Sequence, residues 1–239
     1  MIKLLTFVRR KAGVSPEKFH ADWRAENERF FAATPAARQL VARYELNHRL
    51  RDDYERARHS AEMPGPEWDG VAVHWFETLE NYRALQSLPA YVQFSATELS
   101  RYRDAASISV LTNDATKIVD KAGGRERAGL KLMCILRRNK ALERPKFFQH
   151  WREHHGGLFK NVPELYEPLL AYDQNHGLAI EGAEFDGLTE QWFESLPAWV
   201  ESIDVPAAHT LIEPDVAYLL DTNSIQFILA GRPTVVVQQ

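Results

Sequence analysis

Three histidines fall within six positions of the segment FFQHWREHHGG (147–157): His150, His154 and His155. Near neutral pH an imidazole can ligate a metal or carry a proton. His150 and His154 are four residues apart, which is metal-ligand spacing on one helix face. The zinc-protease pattern, however, is HExxH, and the run here is HWREH, with Glu153 on a different side of the helix from the one a base would occupy. No third ligand is identifiable, so no metal site is assigned, and the pair reads as a solvated or partly buried face. His155 stands just before Gly156-Gly157, where a helix would loosen. It reads as a proton-transfer candidate or as a capping or surface histidine.

A second pattern occurs twice: Tyr44-x-x-Asn47-His48 and Tyr172-x-x-Asn175-His176. Side chains alternate along a strand, so each Tyr and His share one face and each Asn points to the other. A histidine beside an aromatic in a pocket suits general acid–base work, with Asn and Tyr holding the substrate. A strand-end His bonded to a turn carbonyl is the plainer alternative. His20, Trp23 and Asn27, at i, i+3 and i+7, share one helix face, and Phe148, Trp151 and His155 repeat that spacing. His74 lies in another strand-like run and is a further candidate. Glu190 reads as solvated or salt-bridged. Arg9-Arg10 and Arg137-Arg138 end a strand, either as solvated ends or as a rim for a carboxylate. Asp69, Asp186, Asp104 and Asp221 read as turn caps. Trp23, Trp151, Trp75 and Trp192 read as core, or as walls for a flat ligand.

These pairs exist because the chain is a duplication. Residues 2–31 align with 130–159 at an offset of 128, with nine of thirty positions identical. YELNH and YDQNH keep that offset. WDGVAVHWFETL (68–79) then matches FDGLTEQWFESL (185–196) at an offset of 117. The difference is an insertion in the first copy, within the polar stretch 49–68, which reads as a surface loop. Two copies in one register imply two copies of one fold. The expected division is 1–115, a linker at 116–128, and 129–239.

Within each copy, KLLTFVR and KLMCILR read as strands. SPEKFHADWRAENERFF reads as a helix, with Ser15 as N-cap, Pro16 at its first position and a stripe of Phe19, Trp23 and Phe30. Two more strands, a second helical region and a last strand follow. The order is β-α-β-β-α-β, the ferredoxin-like arrangement of the α+β class. One face of such a four-stranded sheet carries the helices and the other must still be buried, so two sheets packed face to face as an intrachain α/β barrel are expected.

With FVRRKAGVSPEKFHADWR and YELNH in one half, and ILRR…PKFFQHWREHHG and YDQNHG in the other, the chain resembles the EthD family of dimeric α/β-barrel proteins across nearly all of both halves. That resemblance implies a pocket between sheet and helices in each half and, in many members, no bound cofactor. It also implies histidine at both the first and the last of the three helix positions. This chain keeps His20 but has Asn27 in the first copy, and keeps His155 but has Phe148 in the second. The two pockets therefore cannot be chemically equal.

The net charge of −4, from 29 Lys+Arg against 33 Asp+Glu, argues against a nucleic-acid partner. No apolar run reaches membrane-span length. The lone Cys134 lies in an apolar run and reads as a small buried hydrophobe. A cytoplasmic protein is expected, with a homodimer of tandem chains left open. The expected function is cofactor-independent lyase, dehydratase or isomerase chemistry by histidine proton transfer on a hydrophobic oxygenated small molecule of aromatic or polyketide type, as in small-molecule catabolism. The candidate catalytic residues are His48, His176, His155, His20 and His74. Asn47, Asn175, Tyr44, Tyr172, Trp23, Trp151 and Asn27 are candidates for binding the substrate. The alternatives are a non-catalytic small-molecule or haem-binding protein and a cofactor-free monooxygenase.

Overall fold

The computed structural model describes residues 1–55 and 68–239. The part of the expected surface loop from 56 to 67 lies outside the described residues. The chain forms two compact units: Met1–Arg49, Glu67–Asp114 and Pro233–Gln239 make the first, and Leu50–Pro66 with Ala115–Arg232 the second.

The first unit is built on β1 (Ile2–Arg10), β2 (Arg43–His48), β3 (Gly70–Phe76) and β4 (Arg103–Asn113). Burial alternates along β1 as its apolar pattern demands. The helix α1 (Pro16–Ala33) starts where Ser15 accepts the Lys18 amide and Pro16 fixes the first φ. Its buried stripe is Phe19, Trp23, Asn27 and Phe31. Phe31 takes the buried place expected of Phe30, which instead stacks on Phe94 at 4.3 Å from the helix Pro89–Arg101. Helix Leu79–Ser87, capped by Thr78, precedes that last helix.

The second unit repeats the plan with β5 (Thr116–Asp120), β6 (Leu130–Leu136), β7 (Leu169–His176), β8 (Gly187–Phe193) and β9 (Gln226–Ala230). A final strand, β10 (Thr234–Gln238), closes the chain's strand list but belongs to the first unit. The sheet orders are β10-β2-β3-β1-β4 and β5-β7-β8-β6-β9, and every pairing is antiparallel. Without β10 and β5, each order is that of the ferredoxin-like fold.

Two expectations change here. Among the described residues each sheet has five strands, not four. The segment 116–128, expected as a linker, carries β5 and the short helix Gly124–Arg127. TKIVD and TVVVQ are thus equivalent strands, and both ladders shift register at the same place, between Lys117 and Val119 and between Val235 and Val237. Each pairs with an edge that would otherwise leave its backbone groups without partners.

One close contact recurs. A Cβ on Gly70 would lie 2.3 Å from the Trp23 ring, and one on Gly187 would lie 2.7 Å from the Trp151 ring. The conserved step of the repeat, Asp-Gly before the third strand, therefore lets the helix tryptophan lie across the sheet. The aspartates hold the strand end: Asp69 accepts the Arg10 amide at 2.7 Å and Asp186 the Arg138 amide at 3.0 Å.

Candidate functional site

A cavity of about 280 Å³ lies in the second unit, between the helices and one face of the sheet. Its floor comes from alternate residues of neighbouring strands: Leu132, Cys134 and Leu136 of β6, and Thr189, Gln191 and Phe193 of β8. Leu132 is paired with Gln191, and Cys134 with Thr189, so the register fixes this floor. Trp151, His155 and Phe159 cover it from one helical segment, and Trp199, Ala208, Ile212, Val216 and Leu219 from the other. The lining is mostly apolar with a few polar groups, the usual make-up of a small-molecule site, and its size is near the lower end of the roughly 300–1,000 Å³ such sites span. Burial pushes the Cys134 thiol up to about 12, so it is no nucleophile at neutral pH.

His155 is the basic group of this lining. Its Nδ1 is 2.7 Å from Oδ2 of Asp215, and both residues are buried. A carboxylate can only accept, so Nδ1 carries the proton and Nε2 is the atom left for a ligand. Oδ1 of Asp215 is 2.5 Å from Nε2 of His150 and 3.6 Å from Nε2 of His154. Burial works against the charge on Asp215, but the hydrogen bonds with His155 and His150 outweigh it and hold the carboxyl below its ordinary value. On the floor, Gln191 is nearly buried, and among the described residues its amide makes no hydrogen bond. A free amide in an apolar wall is a ready donor for a ligand oxygen.

Two π-helical turns place this pair. Trp151–His155 is one, closed by the Gly156 amide on the Trp151 carbonyl, which also accepts the Gln174 side chain at 2.7 Å. Ala208–Ile212 is the other, closed by the Glu213 amide on the Ala208 carbonyl. Pro214 explains the second: it has no N–H for the carbonyl four residues back, and its ring crowds that carbonyl. Asp215 follows directly. Such π turns inside helices are frequent at functional sites.

The first unit keeps the pair in altered form. At the positions of His155 and Asp215 stand Asn27 and Glu98, and Asn27 Nδ2 donates to Glu98 at 2.9 Å. Tyr44 and Tyr102 hydroxyls bond the same two side chains, at 2.9 and 2.8 Å. Burial pushes the Glu98 carboxyl up, against the pull of Arg103 and the bonds from Tyr102 and Asn27. Tyr91, Leu85 and Tyr102 occupy the positions of Ala208, Ser202 and Leu219. Larger side chains therefore take the space that the second unit leaves open, and α1 runs there as an unbroken 18-residue helix.

The other sequence candidates lie elsewhere. His74, at the position of Gln191, is buried, stacks on Tyr44 at 3.8 Å and leaves both ring nitrogens without a partner among the described residues. Burial pulls it down to about 3. His48 sits between His20 and Trp23, with ring centroids at 4.8 and 5.2 Å; burial, then His20 and Arg24, lower it to about 3. His20 Nε2 meets the Asp69 carbonyl at 3.0 Å, and burial lowers it. His176 stacks on Phe148 and Trp151, and burial lowers it to about 4. Asn47 and Asn175 donate to the backbone of the adjacent strand, at Val71 and Leu188. Tyr172 is fully buried against Phe159 and Gln174. Trp23 and Trp151 are core; only the second lines the cavity. Of the candidates, the fold brings His155 and Trp151 to the cavity.

Sequence reasoning missed Asp215 and treated Gln191 only as the counterpart of His74. A signal existed: ELSRYRD and DVAYLLD align at the repeat offset, which sets Glu98 opposite Asp215. An acid kept in both copies, within reach of the position that differs as Asn27 and His155, marks the pair. Asp215 also lies within 4.8 Å of His150 and His154, so the three could hold a metal ion. A haem fits the cavity poorly. Its propionates call for cations, and among the described residues the lining contains no Lys or Arg and includes the acidic Glu213.

Sequence comparison matches residues 11–99 and 139–223 to the EthD domain family. No curated protein matches the chain. Among solved structures, an anthrone oxidase-like protein is similar over 98% of this chain and 92% of its own, at 9% identity and a TM-score of 0.63. A candidate monooxygenase from Fusobacterium nucleatum subsp. nucleatum is similar over 98% and 92%, at 8% identity and a TM-score of 0.56. A chlorite dismutase variant from Candidatus Nitrospira defluvii is similar over 98% and 92%, at 11% identity and a TM-score of 0.52. At these identities the likeness is one of fold. No helix among the described residues is long and apolar enough to cross a membrane.

Proposed function

The chain belongs to the EthD family, and from that premise we propose that its second unit is a proton-transfer enzyme for a small, largely apolar, oxygenated molecule. The observation that carries the reading is a single one: an apolar cavity whose basic group, His155, is held by a buried carboxylate. The ligand's carbonyl oxygen accepts a hydrogen bond from the Gln191 amide. His155 Nε2 takes a proton from the carbon next to the carbonyl, the C–H electron pair forms the enolate C=C as the carbonyl pair moves onto that oxygen, and Asp215 stabilises the imidazolium that forms. Returning the proton to another carbon is an isomerisation; losing a leaving group from the neighbouring carbon is a lyase or dehydratase step. All these outcomes share the same first transfer.

His155 is preferred over His48 and His176 for two reasons. Those two rings are packed among aromatic side chains away from the cavity lining, and burial makes them weak bases. The test is deuterium uptake from D₂O into a panel of small aromatic ketones and β-dicarbonyl compounds, read by mass spectrometry. Wild-type protein is expected to catalyse exchange into at least one. His155→Ala is expected to lower that rate by roughly 10²–10⁴-fold, and Asp215→Asn to lower it with the fold intact. Compounds that bind in the cavity without any exchange would leave a binding protein in place of an enzyme.

A further inference from the structure

We propose that His150, His154 and Asp215 bind a divalent transition-metal ion of the zinc class, on the side of the Asp215 carboxylate away from His155. The three ligand atoms, one from each residue, lie within 4.8 Å of one another. Two of the separations are 2.5 Å and 3.6 Å, from His150 and His154 to Oδ1 of Asp215, and the two rings are 4.6 Å apart. A tetrahedral ion about 2.1 Å from each ligand keeps its ligand atoms about 3.4 Å apart. The two separations to Oδ1 of Asp215 bracket that distance. His154 is 58% exposed and His150 25% exposed, so solvent reaches both imidazoles.

The site has the further parts such a centre needs. Asp215 is already oriented, because its other oxygen is bonded to His155 Nδ1 at 2.7 Å, an outer contact of the kind that fixes metal ligands. The ligands come from two helical segments, so the ion would tie the Arg144–His155 stretch to the helix Glu213–Leu219. Two imidazoles and one carboxylate favour zinc, cobalt, nickel or copper over magnesium or calcium, which take oxygen donors. The exposed fourth position is left to water. The first repeat has Asp22, Glu26 and Glu98 at the equivalent positions, with no imidazole among them, so the site belongs to the second unit alone.

The inference does not rest on the proton-transfer reading, and its readout needs no substrate. The full-length protein, stripped by chelator, is titrated with Co²⁺ and followed by visible absorption, and with Zn²⁺ by calorimetry. One ion per chain is expected, with a tetrahedral cobalt spectrum. His154→Ala and His150→Ala are each expected to weaken binding by at least about tenfold. His209→Ala, which alters the separate exposed contact of His209 with Glu213 and Asp204, is expected to leave it unchanged. Because His154 is exposed, its removal leaves the fold intact by circular dichroism. Absence of the cobalt spectrum, or binding that survives His154→Ala, overturns the proposal.

Discussion

The histidines of the described residues serve different ends, and their surroundings decide which. His155 and His74 make the contrast. The first is buried with a carboxylate on one nitrogen; the second is buried against Tyr44, Phe31 and Phe76, with no hydrogen bond to either nitrogen among the described residues. Burial holds His74 at about 3 in the fold, well below the ordinary 6.5 of a histidine. A lowered folded value means the unfolded chain binds the proton first. Stability is therefore full above about pH 6.5 and is lost as pH falls from there toward 3. Between pH 7 and pH 5 this one ring accounts for a loss of about 2 kcal/mol. His74→Phe removes the titrating group and keeps the stack on Tyr44. Denaturant melts at the two pH values should show the variant losing about 2 kcal/mol less than wild type, with a neutral-pH stability equal to or above it. An unchanged pH slope would show that His74 is solvated in the fold. In the sequence His74 lies in the apolar run VAVHWF and His155 in the polar run WREHHGG, and only the acid kept at Glu98 and Asp215 points to what sets His155 apart: a partner sixty residues further on.

At the scale of elements, the sequence was legible where local chemistry rules. The Ser15 cap, the apolar alternation of β1 and the Asp-Gly steps all form what their residues demand. The π turns were not legible, because they depend on Gln174 reaching across to the Trp151 carbonyl and on Pro214 acting within a helix that packing holds together. Glycine makes the point testable within one segment. Gly157 has nothing nearer than 3.9 Å to an added Cβ, whereas Gly187 meets both the Trp151 ring and the Asn175 carbonyl at 2.7 Å. In a helix with room, Gly157→Ala is expected to raise stability by about 0.5–1 kcal/mol, since alanine loses less backbone freedom. Gly187→Ala must displace the tryptophan that roofs the cavity and is expected to cost about 1–3 kcal/mol. Thermal melts of the two variants should shift in opposite directions, and Gly187→Ala should also weaken any ligand that binds beneath Trp151.

For the whole molecule, internal duplication was the strongest signal, and it predicted the same β-α-β-β-α-β plan in both halves. It did not predict the fifth strands, because a short β-branched run after a polar turn looks the same whether it pairs at home or elsewhere. TKIVD follows the first repeat and completes the second sheet; TVVVQ follows the second repeat and completes the first. The consequence is that neither repeat, cut at its sequence boundary, contains its whole sheet. β10 ladders along β2 from Arg43 to Leu46 and contributes Val237, 1% exposed, to the core that holds Tyr44 and Phe31. A chain ending at Arg232 should therefore lose hydrogen-exchange protection first in β2, although the deletion is almost two hundred residues away in sequence. The amides of β7, whose partner β5 remains, should keep theirs. Supplying TVVVQ as a peptide should restore protection in β2 by pairing with the open edge. Loss of protection spread evenly through β2 and β7 would mean instead that the two sheets unfold as one, and that the C-terminal strand stabilises the molecule without belonging to either.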